Sequence, residues 1–172
     1  YNDLVDMALK FNFGSLVGID IPGEKKGLIP TVDYMNKVYR YTDQNGKLVV
    51  DWAKGGAKAN MSIGQGELLT TPIQIVNMVN IIANRGYFFT PHLLKDVESD
   101  IKSIDLPSFI WSYLNNAMWR VVNSEGGTGR RAYVKNAVVR GKTGTAQNPH
   151  GEDHSWFSGY TITENLSAIS LV

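Results

Sequence analysis

Arg140-Gly141-Lys142-Thr143-Gly144-Thr145-Ala146-Gln147 sets a cation, two hydroxyls and a stretch of nearly bare backbone side by side. Residues 137–147 read as a β-strand, closed by the turn residues Asn148-Pro149-His150-Gly151. Side chains alternate across a strand. Thr143 and Thr145 therefore share one face, with Lys142 and Gly144 on the other unless twist at the glycines turns the lysine head inward. Two hydroxyls so placed can grip one carboxylate. Gly144 leaves no side chain in the way of an incoming chain, and strand N–H and C=O groups can pair with an extended peptide. Two other readings compete. Gly141-Lys142-Thr143 mimics the end of a phosphate-binding loop, but that motif needs a glycine five residues earlier, where Asn136 stands. A bare Lys-Thr-Gly triplet also recurs by chance in strands that bind nothing.

Downstream, 155–162 read as a second strand, Thr163-Glu164-Asn165 as a turn and Leu166 onward as a third strand, a three-stranded antiparallel meander. Upstream, the period changes to that of helices. Residues 72–84 form the clearest one, with Thr71 as cap, Pro72 in the first turn and Gly86 past the end. Ile75, Val76, Val79, Ile82 and Ala83 form its apolar face, and Gln74, Asn77, Asn80 and Asn84 a polar stripe expected to be solvated. A second helix covers 107–123, capped by Asp105 or Ser103. Its expected core stripe is Phe109, Ile110, Tyr113, Leu114, Ala117, Met118, Val121 and Val122, with Trp111 and Trp119 in the core or at a domain contact. A loop at 124–129 leads into a short helix at 130–134. Nearer the start, a helix ends by Phe13, 18–30 form a turn-rich connector, and 34–52 form a surface excursion folded at Asp43-Gln44-Asn45-Gly46. Helices followed by a meander imply an α+β architecture.

Composition narrows the class without naming a function. A chain of 172 residues with 43% hydrophobic and 19% charged residues fits a globular domain or part of one. The net charge of +1 offers no basic surface for nucleic acid or an anionic membrane. Cysteine is absent, which rules out disulfides and thiolate metal sites and suits an oxidising compartment. No apolar run reaches the roughly 20 residues of a spanning helix. Both ends read as cut through an element, so the expectation is a fragment.

Around the triplet the match to a family grows long. Met61-Ser62-Ile63-Gly64-Gln65-Gly66-Glu67-Leu68-Leu69-Thr70-Thr71-Pro72-Ile73-Gln74 precedes Gly141-Lys142-Thr143-Gly144-Thr145-Ala146-Gln147 in the order and separation of class B penicillin-binding proteins. Residues 81–86 followed by Pro91-His92-Leu93, the Gly126-Gly127-Thr128-Gly129 loop, and His154-Ser155-Trp156-Phe157 extend the resemblance along nearly the whole chain. Gly64-Gln65-Gly66, Thr71-Pro72-Ile73-Gln74 and Gln147 most resemble the elongation-specific penicillin-binding protein 2 branch. Residues 34–52 are least like the family.

The resemblance implies the penicillin-binding/serine β-lactamase-like transpeptidase fold, incomplete here, with 1–172 as the C-terminal portion of a single transpeptidase domain. It implies a peptidoglycan D,D-transpeptidase acting by serine acyl transfer and acylated by β-lactams. Lys142, Thr143, Gly144 and Thr145 would be catalytic, and Thr143, Thr145 and Gln147 would bind substrate. The Thr145 N–H would supply half of an oxyanion hole, with the serine's own N–H as the other half. Neither metal nor cofactor is implied. The expected partners are stem peptides, β-lactams and the cell-elongation machinery including a glycosyltransferase, with no nucleic acid, at the periplasmic face of the inner membrane on an N-terminal anchor outside this chain.

The chain lacks a credible nucleophile of its own. Ser99-Asp100-Ile101-Lys102 matches Ser-x-x-Lys but lies in a polar linker too close to the triplet, and reads as a decoy. The family's Ser-x-Asn motif is expected shortly before Tyr1, so the fragment alone is expected to be inactive. His150, Glu152, Asp153 and His154 are solvated turn residues more simply than zinc ligands. Arg130 and Arg131 fit a solvated or salt-bridged helix start. The competing functions are a serine β-lactamase or penicillin-sensing receptor domain, and a non-catalytic module on the same scaffold. The 61–74 match favours the transpeptidase.

Overall fold

A computed structural model describes residues 1–53, 56–98 and 100–162, with the backbone alone of 168–171. Ser99, the turn at 163–165 and Leu166 lie outside the described residues. The chain divides into two compact units, Tyr1–Leu16 with Lys25–Thr70, and Val17–Glu24 with Thr71–Val172.

In the first unit, α1 (Asn2–Lys10) buries Val5, and the Tyr1 hydroxyl donates to the Pro30 carbonyl at 2.5 Å. Helix α2 (Val32–Val38) is capped by Thr31, whose hydroxyl accepts from the Tyr34 N–H. It buries Met35 at 1% exposure, so the start of the expected surface excursion belongs to the core. The hairpin itself is present: β1 (Arg40–Thr42) pairs with β2 (Leu48–Val50) across a turn in which Asp43 accepts from the Asn45 and Lys47 amides. Helix α3 (Ala57–Ser62) leads into turns at Gly64 and Gly66.

The second unit holds α4 (Pro72–Ala83), a short pair of β3 (Tyr87–Phe88) with β4 (Lys102–Ser103), and α5 (Ser108–Asn123). A 3-10 turn at Arg130–Ala132 follows, then β5 (Val139–Ala146), β6 (His154–Ile162) and β7 (Ala168–Leu171). The last three form an antiparallel sheet in the order β5-β6-β7, so the meander is borne out. Helix α4 lies against β6 and β7, and α5 against β5.

Helix faces are where sequence spacing misleads. In α4 the Thr71 hydroxyl accepts from the Gln74 N–H while the Gln74 side chain accepts from the Thr71 N–H, a reciprocal cap that satisfies two orphan donors. Gln74 and Asn77 are buried rather than solvated, beside Val79 and Ile81, and the Asn77 side-chain nitrogen finds no hydrogen-bond partner among the described residues. In α5 the cap is Pro107 without a side-chain bond, not Asp105 or Ser103. The buried line runs through Trp111, Met118 and Val122, leaving Phe109 and Tyr113 67% and 71% exposed.

Polar side chains join these elements. Asn115 on α5 donates to the carbonyls of Ile82 (3.1 Å) and Trp111 (2.8 Å) and accepts from the Tyr160 hydroxyl, and burial pushes the Tyr160 phenol up. Asn123 donates to the Val139 carbonyl at 2.8 Å and so ties the end of α5 to the start of β5. The segment 17–24 is closed by two carboxylates. Glu24 accepts from the Val17 and Gly18 amides, and Asp20 from those of Leu93 (2.7 Å) and Leu94 (2.9 Å).

The Leu94 and Leu93 amides hold the Asp20 carboxyl below its usual value. A depressed folded-state pKa contributes stability that is complete above the unfolded value, about 3.9, and is lost as pH falls through the folded one. Amide protection at Leu93 and Leu94, corrected for intrinsic exchange, is therefore expected to fall in acid below about pH 4, and Asp20→Asn to remove that pH dependence. Equal protection in the wild type above and below this window would refute the clasp.

Candidate active-site strand

β5 carries the residues singled out in the sequence, and its register with β6 fixes what they face. Gly141 lies opposite Gly159, Lys142 opposite Ser158, Thr143 opposite Phe157, Gly144 opposite Trp156, and Thr145 opposite Ser155. Opposed residues of an antiparallel ladder share a face. Thr143, Thr145 and Ser155 therefore set three hydroxyls on one face, while Lys142 and Gly144 share the other with Ser158 and Trp156. Among the described residues β5 pairs only with β6 and is the edge strand of this sheet, and an edge strand is a template on which a further extended chain can pair.

Thr143 is half-buried, whereas Lys142, Gly144, Thr145 and Gln147 are exposed. The Lys142 ammonium donates to the Thr143 carbonyl at 2.5 Å, a local contact that leaves the head at the surface. The Thr143 hydroxyl lies 3.0 Å from that of Thr128 in the loop after α5. Spacing gives no hint of this contact. The sequence marks the glycine-threonine loop only by family resemblance and gives no role to the Ser155 hydroxyl opposite Thr145.

The glycines of the strand divide by what surrounds them. A Cβ on Gly141 would stand 2.3 Å from Phe157 Cζ, and one on Gly159 would stand 2.4 Å from the Arg140 carbonyl oxygen. Facing each other across the ladder, these two make the slot in which the Phe157 ring lies. Gly144 is different. A Cβ there would meet nothing nearer than Trp156 Cβ at 3.7 Å, and its backbone is ordinary extended strand, so no packing among the described residues demands glycine. A bare backbone on an exposed edge is what an approaching peptide requires.

Residues 1–170 match the family described as the penicillin binding protein transpeptidase domain. The chain belongs to that family. It is 32% identical to the peptidoglycan D,D-transpeptidase MrdA of Haemophilus influenzae over 94% of this chain, yet spans only 28% of that relative's length. Its fold superposes on penicillin-binding protein 2 of Pseudomonas aeruginosa in complex with WCK 5153, with TM-score 0.76 and 28% identity over 99% of this chain and 39% of that one. Penicillin-binding protein 2 of Helicobacter pylori, solved in complex with MreC, gives TM-score 0.77 and 25% identity over 92% of this chain and 29% of that one. The transpeptidase fold and the similarity to the penicillin-binding protein 2 branch are thus borne out.

Of the other titratable residues of this transpeptidase-family chain, His154 lies opposite Ala146 at the end of the strand. His150, Glu152, Asp153 and His154 are exposed around the β5–β6 turn, where the Asn148 amide donates to Asp153. No cluster of three or more His, Asp or Glu side chains suited to a metal occurs among the described residues. Arg130 donates to the Asn123 carbonyl at 3.1 Å and stacks on the Tyr133 ring, so it closes the end of α5. No helix among the described residues is long and apolar enough to cross a membrane.

Proposed function

We propose that this chain is the C-terminal portion of a single transpeptidase domain in a peptidoglycan D,D-transpeptidase, and that β5 holds the carboxyl end of the donor stem peptide beside a serine supplied from upstream. The observation that carries this is an exposed edge strand with Thr143 and Thr145 on one face and a glycine between them that no packing explains. The serine oxygen attacks the penultimate D-alanine carbonyl, and the C–N bond to the terminal D-alanine breaks. The terminal D-alanine leaves with a proton on its nitrogen, and the amine of a neighbouring stem peptide displaces the serine to form the cross-link. Thr143 and Thr145 donate to the terminal carboxylate, the Thr145 N–H points at the developing oxyanion, Lys142 supplies positive charge near the acylated oxygen, and Gln147 borders the bound peptide.

A β-lactam presents the same carboxylate beside a strained acyl bond and acylates the same serine. The structure of a penicillin-binding protein 2 with MreC supports partners in the elongation machinery, and the proposed protein works with a glycosyltransferase partner from an anchored, periplasmic location.

Labelling with a fluorescent penicillin tests this on the full-length protein. Thr143→Val and Thr145→Val are each expected to lower the acylation rate constant about 10–100-fold, the worth of a hydrogen bond to a charged group, without lowering the melting temperature. A long-lived acyl-enzyme and cross-linked product from stem peptides complete the expectation. Wild-type labelling in both variants overturns the role of the strand, and rapid turnover of the acyl-enzyme would assign the protein as a β-lactamase instead.

A further inference from the structure

The loop that follows α5 is held with unusual closeness, and it delivers one side chain to the strand. The Gly127 amide donates to the Ser124 carbonyl at 3.0 Å and the Gly129 amide to the Val121 carbonyl at 2.9 Å. A Cβ on Gly127 would stand 2.3 Å from the Val121 oxygen and 2.8 Å from the Arg120 oxygen, so the loop backbone rests directly on the last turn of the helix. A Cβ on Gly129 would meet Val121 Cγ1 at 3.0 Å and Phe157 Cε2 at 3.3 Å. Arg130 caps the same helix end through the Asn123 carbonyl. Thr128 is therefore anchored on both sides, and its hydroxyl lies 3.0 Å from that of Thr143.

We propose that Thr128 is a positioning residue for the carboxylate grip: its hydroxyl donates to Thr143 and thereby commits the Thr143 proton to the bound carboxylate. This rests on the reading of Thr143 as a carboxylate ligand. A threonine hydroxyl has one proton and two lone pairs. When Thr143 gives its proton to a carboxylate, it can only accept from Thr128, so the two bonds point the same way and polarise one another. The contact also selects one Thr143 rotamer among the few open to a β-branched side chain. Without it the hydroxyl is free to turn toward its own backbone or toward water. The anchoring glycines matter because a mobile Thr128 would order nothing.

The test compares acylation of the full-length protein by a penicillin bearing its free carboxylate with acylation by the methyl ester of the same compound. The ratio of the two rate constants measures the carboxylate grip alone. Thr128→Val is expected to lower that ratio about 3–10-fold, the scale of one neutral hydrogen bond, while Thr128→Ser keeps it. Against a Thr143→Val background, Thr128→Val is expected to change nothing further, because the two residues act as one unit. An unchanged ratio in Thr128→Val, or an equal loss in both backgrounds, overturns the inference. Should the valine variant fail to fold, Thr128→Ala takes its place in the same comparison. If Thr143→Val itself leaves the ratio at the wild-type value, the assignment of the strand fails, which is distinguishable from a failure confined to Thr128.

Discussion

Lys142→Met in the full-length protein is expected to lower penicillin acylation by about 10²–10³-fold, the range for removing one preorganised electrostatic stabiliser, and to leave the melting temperature unchanged. The two halves of this expectation have separate physical grounds. Lys142 is exposed and its only described hydrogen bond goes to the carbonyl of the next residue, so methionine removes a charge without opening a cavity or stranding a buried partner. The kinetic loss comes from removing the cation beside the acylated oxygen. Lys142→Arg keeps the charge but replaces a compact ammonium with a planar fork, and is expected to recover only part of the rate. Stopped-flow or gel-based acylation kinetics read the first half and thermal unfolding the second. Wild-type kinetics in Lys142→Met would remove the lysine from the mechanism.

Gly159→Ala should damage the same strand from behind. Its methyl group would stand 2.4 Å from the Arg140 carbonyl oxygen, 3.0 Å from Phe157 Cε1 and 3.1 Å from Gly141 Cα. Two of those three are backbone, which cannot swing aside as a flexible side chain can, so β5 itself must move. Overpacking of this kind costs about 1–3 kcal/mol of stability. The displacement falls one residue from Lys142, and misplacement by about 1 Å costs about 10²-fold in rate. Gly144→Ala is the contrasting case. Its methyl group meets only Trp156 Cβ at 3.7 Å, ordinary van der Waals contact, so thermal stability stays at the wild-type level while acylation still falls. A Gly159→Ala variant as stable and as fast as wild type would show that the sheet tolerates the extra methyl. Full activity in Gly144→Ala would mean that no chain lies against the strand there.

The same pair of glycines shows how much was legible in the chain before it folded. The strand, its alternation and the hairpin after it follow from residue order, because a two-residue period and a Pro-Gly turn act over a few bonds. The limits of α4 follow for the same reason: Thr71 and Pro72 place its start wherever the helix is packed. The Lys142 to Thr145 run, with the long match at 61–74, carried the family. By contrast the apolar period does not mark the buried side of α4, since Gln74 satisfies its side chain through the cap and enters the core at 1% exposure. In α5, Trp111 is buried as expected, whereas Phe109 and Tyr113 have the right period for burial and yet are exposed.

What residue order determined about this protein is local: which segments extend, which coil, where they stop, and which face of one strand carries two hydroxyls. What only the tertiary structure decided is which surfaces meet. The Thr128 hydroxyl reaches Thr143 across a separation of 15 residues because Gly127 and Gly129 press the loop onto α5, and Gly141 opposes Gly159 because β6 folds back in one register. Periodicity acts through neighbouring bonds and says nothing of the partner surface, whereas burial and hydroxyl pairing depend on atoms brought together from distant positions in the chain.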